Sequence, residues 1–171
     1  MKVNNNAPEF DIQPLIDELS SSDGLERQRA RLLLVSIGPK AGPALADALN
    51  SADEHTRWEA AKALTRIVYP PAAPSLVALL EDENPDIRWA ASEALITLGR
   101  PGLKPLLERL ITGHSTWLRE GARHILHVLR DFGQLRPEEE KVLKAMQGLA
   151  PDIEVGWAAS AALENLELLE S

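Results

Sequence analysis

Two histidines and a glutamate toward the C-terminal end have the spacing of ligands on one helix face. Glu120, His124 and His127 stand at offsets 0, 4 and 7, which would bring them together on an α-helix. Two imidazoles and a carboxylate can ligate zinc or iron. The chain has four histidines, so such a grouping also arises by chance, and exposed polar histidines are the interpretation we favour. We therefore expect no metal and no other cofactor.

Two of the four tryptophans lie in a passage that occurs twice. Residues 57–64 read RWEAAKAL and residues 88–95 read RWAASEAL, so Trp58 and Trp89 hold the same place in two copies of one pattern. Trp157 holds that place in a weaker copy near the C-terminus. Large aromatic side chains at an exposed repeat position are natural anchors for a peptide or helix of a partner protein. We favour the interpretation that each indole packs over the next repeat's helix or stacks on an arginine, and the tryptophans are still the best binding candidates in the sequence.

The composition argues against several other kinds of chemistry. The chain has no cysteine, which rules out disulfides and cysteine nucleophiles and suits the reducing cytoplasm. Its net charge of −8 argues against nucleic-acid binding, which needs concentrated Lys and Arg. The sequence has no phosphate-binding loop, no nucleophile elbow, no apolar run long enough for a membrane span and no signal-peptide pattern. We expect a cytoplasmic protein that binds neither nucleic acid nor membranes.

Four arginines mark the register of a repeat that runs through most of the chain. Arg27, Arg57, Arg88 and Arg119 follow one another at a nearly constant spacing. Each is followed by an alanine at offset 3 and a leucine at offset 7, and these offsets share one helix face. A proline precedes each arginine at a nearly constant distance, where it suits the first turn of another helix. A period of about 20–50 residues is typical of stacked structural repeats.

Each repeat unit therefore reads as a short helix opened by proline, a polar turn, and a longer second helix. Turns such as residues 20–24 and 82–86 supply N-caps, and Gly38 and Gly99 supply left-handed ends for second helices. One helix pair cannot bury its apolar face alone, so neighbouring pairs must stack. These features predict an all-α, right-handed α-solenoid of about five helix pairs. Its units cover approximately residues 12–38, 39–69, 70–99, 100–132 and 137–169 within a single domain, 12–171, after a flexible segment, 1–11.

The stretch from residue 74 to residue 95 reads PSLVALLEDENPDIRWAASEAL. It resembles the HEAT-repeat family, in the short variety that phycobilin lyases also contain. The resemblance extends over roughly residues 12–168 and is weakest in the last unit, where Gly156 stands in place of the arginine. Members of the family serve as scaffolds, adaptors and, in some cases, enzymes, so the family alone does not fix a function.

The resemblance also implies roles for the arginines and for a second stripe of side chains on the same helices. This stripe contains the tryptophan position, one residue after the arginine, and lies apart from the alanine and leucine face. In the family, such an arginine commonly pairs with an acid of a neighbouring turn, so the four arginines are expected to form a structural ladder that breaks at Gly156. The second helices of the family line the concave side of the array, which would turn the stripe toward a groove. The predicted partner contacts on this concave face are Trp58, Trp89, Glu93, Glu120, His124 and Trp157.

Relatives with activity supply the competing interpretations. Deoxyhypusine hydroxylase carries His-Glu dipeptides that bind two irons, whereas this sequence has none and shows Trp58-Glu59 and Trp89-Ala90 at the corresponding positions. Phycobilin lyases share the repeat type, and a tryptophan-lined groove could stack a bilin. We predict a non-catalytic module or scaffold that binds another protein through the concave face. The alternatives are a pigment-handling protein, a metal-dependent HEAT-repeat enzyme, and a structural cap or adaptor in a larger assembly.

Overall fold

The chain folds into a stack of helix pairs. The computed structural model describes residues 11–148 and 151–170, which contain ten α-helices and no strand. The helices are α1 (Ile12–Asp17), α2 (Gly24–Ile37), α3 (Gly42–Ala48), α4 (Glu54–Leu64), α5 (Ala73–Ala78), α6 (Pro85–Leu98), α7 (Leu103–Thr112), α8 (Thr116–Asp131), α9 (Pro137–Ala145) and α10 (Pro151–Glu170). The prediction of an all-α solenoid of about five helix pairs is confirmed. Residues 1–10 of the predicted flexible segment lie outside the described residues.

The second helices begin and end at residues suited to those positions. At the start of α2, α4, α6 and α8, a side-chain oxygen accepts a hydrogen bond from a backbone N–H of the first turn. These N-caps are Asp23, Asp53, Asn84 and Ser115. Two of the helices end at Gly38 and Gly99, whose φ angles of 75° and 66° lie in the left-handed region that favours glycine. The predicted glycine C-caps are therefore confirmed.

Small side chains allow neighbouring pairs to pack closely. The second helices α2, α4, α6 and α8 lie in one row, and the first helices α1, α3, α5 and α7 form a row behind them. The repeat alanines Ala60, Ala91 and Ala122 are completely buried, as are leucines such as Leu34 and Leu126. Each fully buried leucine stabilises the fold by about 1.5–3 kcal/mol relative to an exposed one. The alternation of alanine and leucine thus sets both the spacing and the stability of the stack.

The last pair is arranged differently from the others. α9 packs against α8 and so continues the row of second helices, whereas α10 packs against α7 and α9. A buried carboxylate fixes α9: Glu139 accepts from Arg100, in the turn before α7, at 2.9 Å and from the backbone N–H of Arg136 at 2.6 Å. Gly156 of α10 faces the carbonyl oxygen of Ile111 in α7. The longer last helix therefore occupies the row of first helices.

α10 is also the longest helix, at 20 residues. Among the described residues, neither this helix nor any other combines the length and apolar character needed to span a membrane. Its buried side is formed by Val155, Ala159, Ala162 and Leu166, which face the rest of the stack. The helix therefore closes the array by packing one side against it.

Candidate functional site

The outward faces of α4, α6 and α8 carry most of the side chains that the sequence singled out. Trp58 of α4 is half-buried, and the Nζ of Lys62, one turn later, lies 3.7 Å from the centroid of its ring. Burial of the Lys62 ammonium group, and then the nearby charge of Arg31, hold the pKa of Lys62 below its usual value, while Glu59 acts in the opposite direction. The exposed face of Trp58 is therefore covered by a cation from its own helix.

Trp89 of α6 is more open than Trp58, with 59% of its surface exposed. Its ring stacks on the imidazole of His124 in α8, with centroids 5.0 Å apart and planes inclined by 27°. The same imidazole places its Nε2 3.2 Å from Oε1 of Glu93, one turn further along α6. Three of the predicted contacts, Trp89, Glu93 and His124, thus form one cluster that bridges two repeats.

Trp117 at the start of α8 completes this surface and was not among the predicted contacts. It is 43% exposed, and the guanidinium carbon of Arg88 lies 4.4 Å from its ring centroid. Trp117 precedes the register arginine of its unit, Arg119, whereas Trp58 and Trp89 directly follow theirs, so the repeat register does not mark it. It does stand about one helical turn before Glu120 and two before His124, and this spacing would have placed it on the predicted stripe.

Two clefts run between these helices. The α4–α6 cleft has a volume of about 550 Å³ and is lined by Trp58, Lys62, Thr65, Asp86, Trp89, Ala90, Glu93 and Thr97. The α6–α8 cleft has a volume of about 220 Å³ and is lined by Pro85, Arg88, Trp89, Ser92, Trp117, Glu120, Gly121 and His124. Trp89 forms a wall of both clefts, so they make one continuous surface, which we call the tryptophan surface.

One repeat position explains why these clefts are open. At the second position after the register arginine, successive units have Glu59, Ala90 and Gly121. The Glu59 carboxylate is buried and pairs with Nη1 of Arg31 at 2.5 Å, so the groove between α2 and α4 is filled by side chains. At the equivalent positions Ala90 and Gly121 project little or nothing and form the floors of the two clefts. Small residues therefore stand at this position in the two open clefts, whereas a buried ion pair occupies it in the groove between α2 and α4.

The prediction that Trp157 shares this surface is wrong. Trp157 is 74% exposed, but it lies on α10, which packs in the row of first helices against α7. The repeat register assigns α10 to the row of second helices, and the reversed last pair breaks that assignment. Trp157 is therefore exposed on a different part of the molecule from Trp58 and Trp89.

The structure does not assemble the candidate metal ligands. Among the side chains that the structure describes, in residues 11–148 and 153–169, no three histidines, aspartates or glutamates lie close enough together to hold a metal ion. His124 instead contacts Trp89 and Glu93, while Glu120 is exposed at the α6–α8 cleft and His127 is partly exposed further along α8. The shared helix face of Glu120, His124 and His127 therefore does not produce a ligand set.

The register arginines have a role that the sequence did not predict. In three units the Nη1 atom donates to a carbonyl oxygen near the point where the first helix of the same unit ends. These bonds join Arg27 to Ser21, Arg57 to Ser51 and Arg88 to Asp82, at 2.6, 2.9 and 2.7 Å. The partial negative charge at a helix C-terminus favours a cation there. This contact offsets the unfavourable position of each arginine near the start of its second helix.

The expected ladder of arginine–acid pairs is incomplete. Arg57 binds Asp82 in the next turn, with Nε 2.8 Å from Oδ2, as such a ladder requires. Arg27 instead approaches Glu59 on helix α4, with Nε 3.9 Å from Oε1, and Arg88 lies over the ring of Trp117. Arg119 is partly buried in the first turn of α8. The shared feature of Arg27, Arg57 and Arg88 is thus the bond within the unit, and the contact to the next unit varies.

The structure of the chain is similar to those of engineered repeat proteins, and its sequence matches one family. An engineered protein from the Northeast Structural Genomics Consortium is 22% identical, with 92% of this chain and 79% of that chain covered and a TM-score of 0.40. A designed armadillo repeat protein is 18% identical (91% and 100% covered, TM-score 0.39). Another designed armadillo repeat protein, in complex with the peptide (KR)4, is 19% identical (94% and 90% covered, TM-score 0.38).

Structural similarities with such low sequence identity and TM-score do not bear on the function of the chain. No protein with a curated description is similar enough to count as a relative. The sequence profile of HEAT repeats, by contrast, matches three overlapping segments, residues 12–95, 42–127 and 74–167. These segments together extend from α1 into α10 and include every unit of the stack. The chain belongs to the HEAT repeat family.

Proposed function

We propose that this protein is a non-catalytic recognition module that binds a partner protein across the tryptophan surface. The observation that carries the proposal is that three consecutive second helices each present an indole to two adjoining clefts, and the central indole, Trp89, lines both. Tryptophan is enriched among the residues that dominate binding energy at protein interfaces. Two adjoining clefts on a rigid helical stack suit a peptide segment or a helix of the partner.

The proposed contacts follow the geometry rather than the repeat register. They are Trp58, Trp89, Glu93, Trp117, Glu120 and His124, and Trp157 is left out. The imidazole and carboxylate nearest the centre of the surface, His124 and Glu93, contact each other, and the imidazole also stacks on the Trp89 ring. Such an arrangement fixes side chains in position for recognition, and this supports binding over acid–base catalysis.

A pigment is the second candidate ligand. The α4–α6 cleft, with a volume of about 550 Å³ and an indole on each side, has room for a flat conjugated ring. This observation favours the bilin-handling alternative that the resemblance to phycobilin lyases suggests. A shift of the visible absorption band on adding a bilin to the wild-type protein, lost in Trp89→Ala, would establish it in place of the protein partner.

The proposal is tested by affinity capture from a cell lysate with three immobilised baits. The wild type is compared with Trp89→Ala and with Trp157→Ala, which removes an exposed indole from the other row of helices. We expect a protein that is retained by the wild type and by Trp157→Ala and lost with Trp89→Ala. Circular dichroism checks that all three baits are equally helical. Identical retention by the three baits would overturn the proposal.

A further inference from the structure

The three indoles of the tryptophan surface differ in what covers them. Lys62 lies over Trp58 at 3.7 Å, and Arg88 lies over Trp117 at 4.4 Å, so two of the three rings already hold a cation of this chain. Trp89 is stacked on one side by His124, a residue of the α6–α8 cleft. Within the described part of the chain no cation lies over the Trp89 face that lines the α4–α6 cleft. That face is open to a cation from outside.

Two carboxylates flank the open face of Trp89. Asp86 and Glu93 belong to the same helix, one turn before and one turn after Trp89, and both line the α4–α6 cleft. The Asp86 carboxylate has no hydrogen bond or ion pair within the described residues, and Glu93 contacts His124 through one oxygen. An aromatic face between two carboxylates offers a cation both ring attraction and charge-assisted hydrogen bonds.

The opposite wall of the cleft fixes where a cation would lie. Lys62 is held over Trp58 on α4, and its positive charge repels a second cation from that side. Ala90, which is only 4% exposed, forms the floor between the walls and leaves depth for a long side chain. A cation is thus directed against α6, where Trp89, Asp86 and Glu93 are.

We propose that the α4–α6 cleft binds a basic side chain, arginine in preference to lysine, from a segment of the partner protein. The proposal rests on the proposed function and specifies the chemistry of its partner. A planar guanidinium can stack on the Trp89 ring and donate to both carboxylates at once, which an ammonium group cannot match. The net charge of −8 on the chain also favours approach of a basic segment.

The test uses peptides of fixed composition and the tryptophan side-chain signals of the full-length protein. The probe is the acetylated, amidated peptide GSRGSRGS, compared with the same peptide carrying citrulline, the uncharged analogue of arginine, and with a lysine version. The four indole N–H signals are followed by two-dimensional NMR and assigned by single Trp→Phe variants. We expect the arginine peptide to shift the Trp89 signal and leave the Trp157 signal in place.

Charge-removing variants test the two carboxylates. We expect Asp86→Asn combined with Glu93→Gln to weaken binding of the arginine peptide roughly tenfold, as the loss of hydrogen bonds to charged groups predicts. Glu164→Gln, which removes a charge from α10, should leave binding unchanged. The citrulline peptide should bind roughly tenfold more weakly than the arginine peptide. Equal binding of the two peptides, or equal weakening by Glu164→Gln, would overturn the proposal.

The outcomes also separate this inference from the proposed function. If Trp89→Ala abolishes capture of the partner and no basic peptide shifts the Trp89 signal, the surface binds a partner of other chemistry and only the inference fails. If neither capture of the partner protein nor binding of any peptide depends on Trp89, both the inference and the proposed function fail. If the arginine, lysine and citrulline peptides shift the indole N–H signal of Trp89 equally, the proposal that the cleft recognises a cation is also overturned.

Discussion

The groove between α2 and α4 and the cleft between α4 and α6 occupy equivalent places in the repeat, yet one is closed and the other open. In the first, Glu59 is 2% exposed and binds Arg31. In the second, Ala90 stands at the equivalent position and leaves about 550 Å³ between two indoles. The backbone of a repeat array therefore supplies a row of potential sites, and the side chain at this repeat position is one difference between the filled groove and the open cleft.

The closed groove should be the more sensitive to mutation. Glu59→Ala removes the acid that Arg31 and Arg27 share, and the two guanidiniums remain in a largely buried groove. Breaking a buried ion pair from one side costs about 3 kcal/mol, and we expect a loss of that size in the free energy of unfolding. Urea denaturation followed by circular dichroism measures it. A loss below about 1 kcal/mol would show that the ion pair does not hold this groove closed.

The two indoles of the open cleft should differ in their effect on stability. Trp58 is half-buried and held by Lys62, so Trp58→Ala should lower the free energy of unfolding by about 2 kcal/mol. Trp89 is mostly exposed, so Trp89→Ala should cost less than about 1 kcal/mol. Parallel urea denaturation of the two variants makes the comparison. An equal or larger loss for Trp89→Ala would mean that its main role is packing.

Helix α4 borders both the groove between α2 and α4 and the α4–α6 cleft. It can be destabilised at its N-cap without changing a side chain that lines either of them. Asp53 caps α4 by accepting from the backbone N–H and from the hydroxyl of Thr56, at 2.8 and 2.9 Å. Asp53→Ala should lower the free energy of unfolding by about 1 kcal/mol at neutral pH. Thermal unfolding of the variant and the wild type measures this loss. Asp23→Ala, at the equivalent cap of α2, is the matched control for a general effect of losing a cap.

The effect of Asp53 should depend on pH in a defined direction. Burial alone would raise the pKa of Asp53, but the hydrogen bonds from Thr56 and the nearby charges of His55 and Arg57 hold it below 3.8. A carboxylate with a lowered pKa stabilises the fold above its unfolded-state pKa, and this contribution disappears as the pH falls through the folded-state pKa. The stability difference between wild type and Asp53→Ala should therefore shrink in acid. A constant difference from neutral pH to pH values well below 3.8 would contradict this assignment.

The repeat pattern predicted the fold because the same physical requirements recur in each unit. A proline suits the first turn of a short helix, an acid, amide or hydroxyl caps the second helix, and alanines allow the helices to approach. Gly38 and Gly99 were predictable because left-handed backbone at a helix end favours glycine. These are local rules, and a sequence displays them directly.

The parts of the site that could not be predicted depend on contacts between units. Trp157 has the same register as Trp58 and Trp89, but no local pattern shows that α10 packs in the other row of helices. The cations over Trp58 and Trp117 come from different places, one turn along the same helix for Lys62 and the preceding unit for Arg88. Which ring stays open is decided by these side-chain contacts, and a repeat register does not encode them.

Binding in the α4–α6 cleft can be tested by filling the cleft while leaving its indoles in place. Ala90→Leu puts a larger, branched side chain on the cleft floor. Because Ala90 is only 4% exposed, we expect this change to lower the free energy of unfolding by about 1–3 kcal/mol, and urea denaturation checks that the variant remains folded. We expect this variant to lose the partner captured by the wild type, while Trp157→Ala retains it. Undiminished capture by a folded Ala90→Leu protein would show that the α4–α6 cleft is not the binding site.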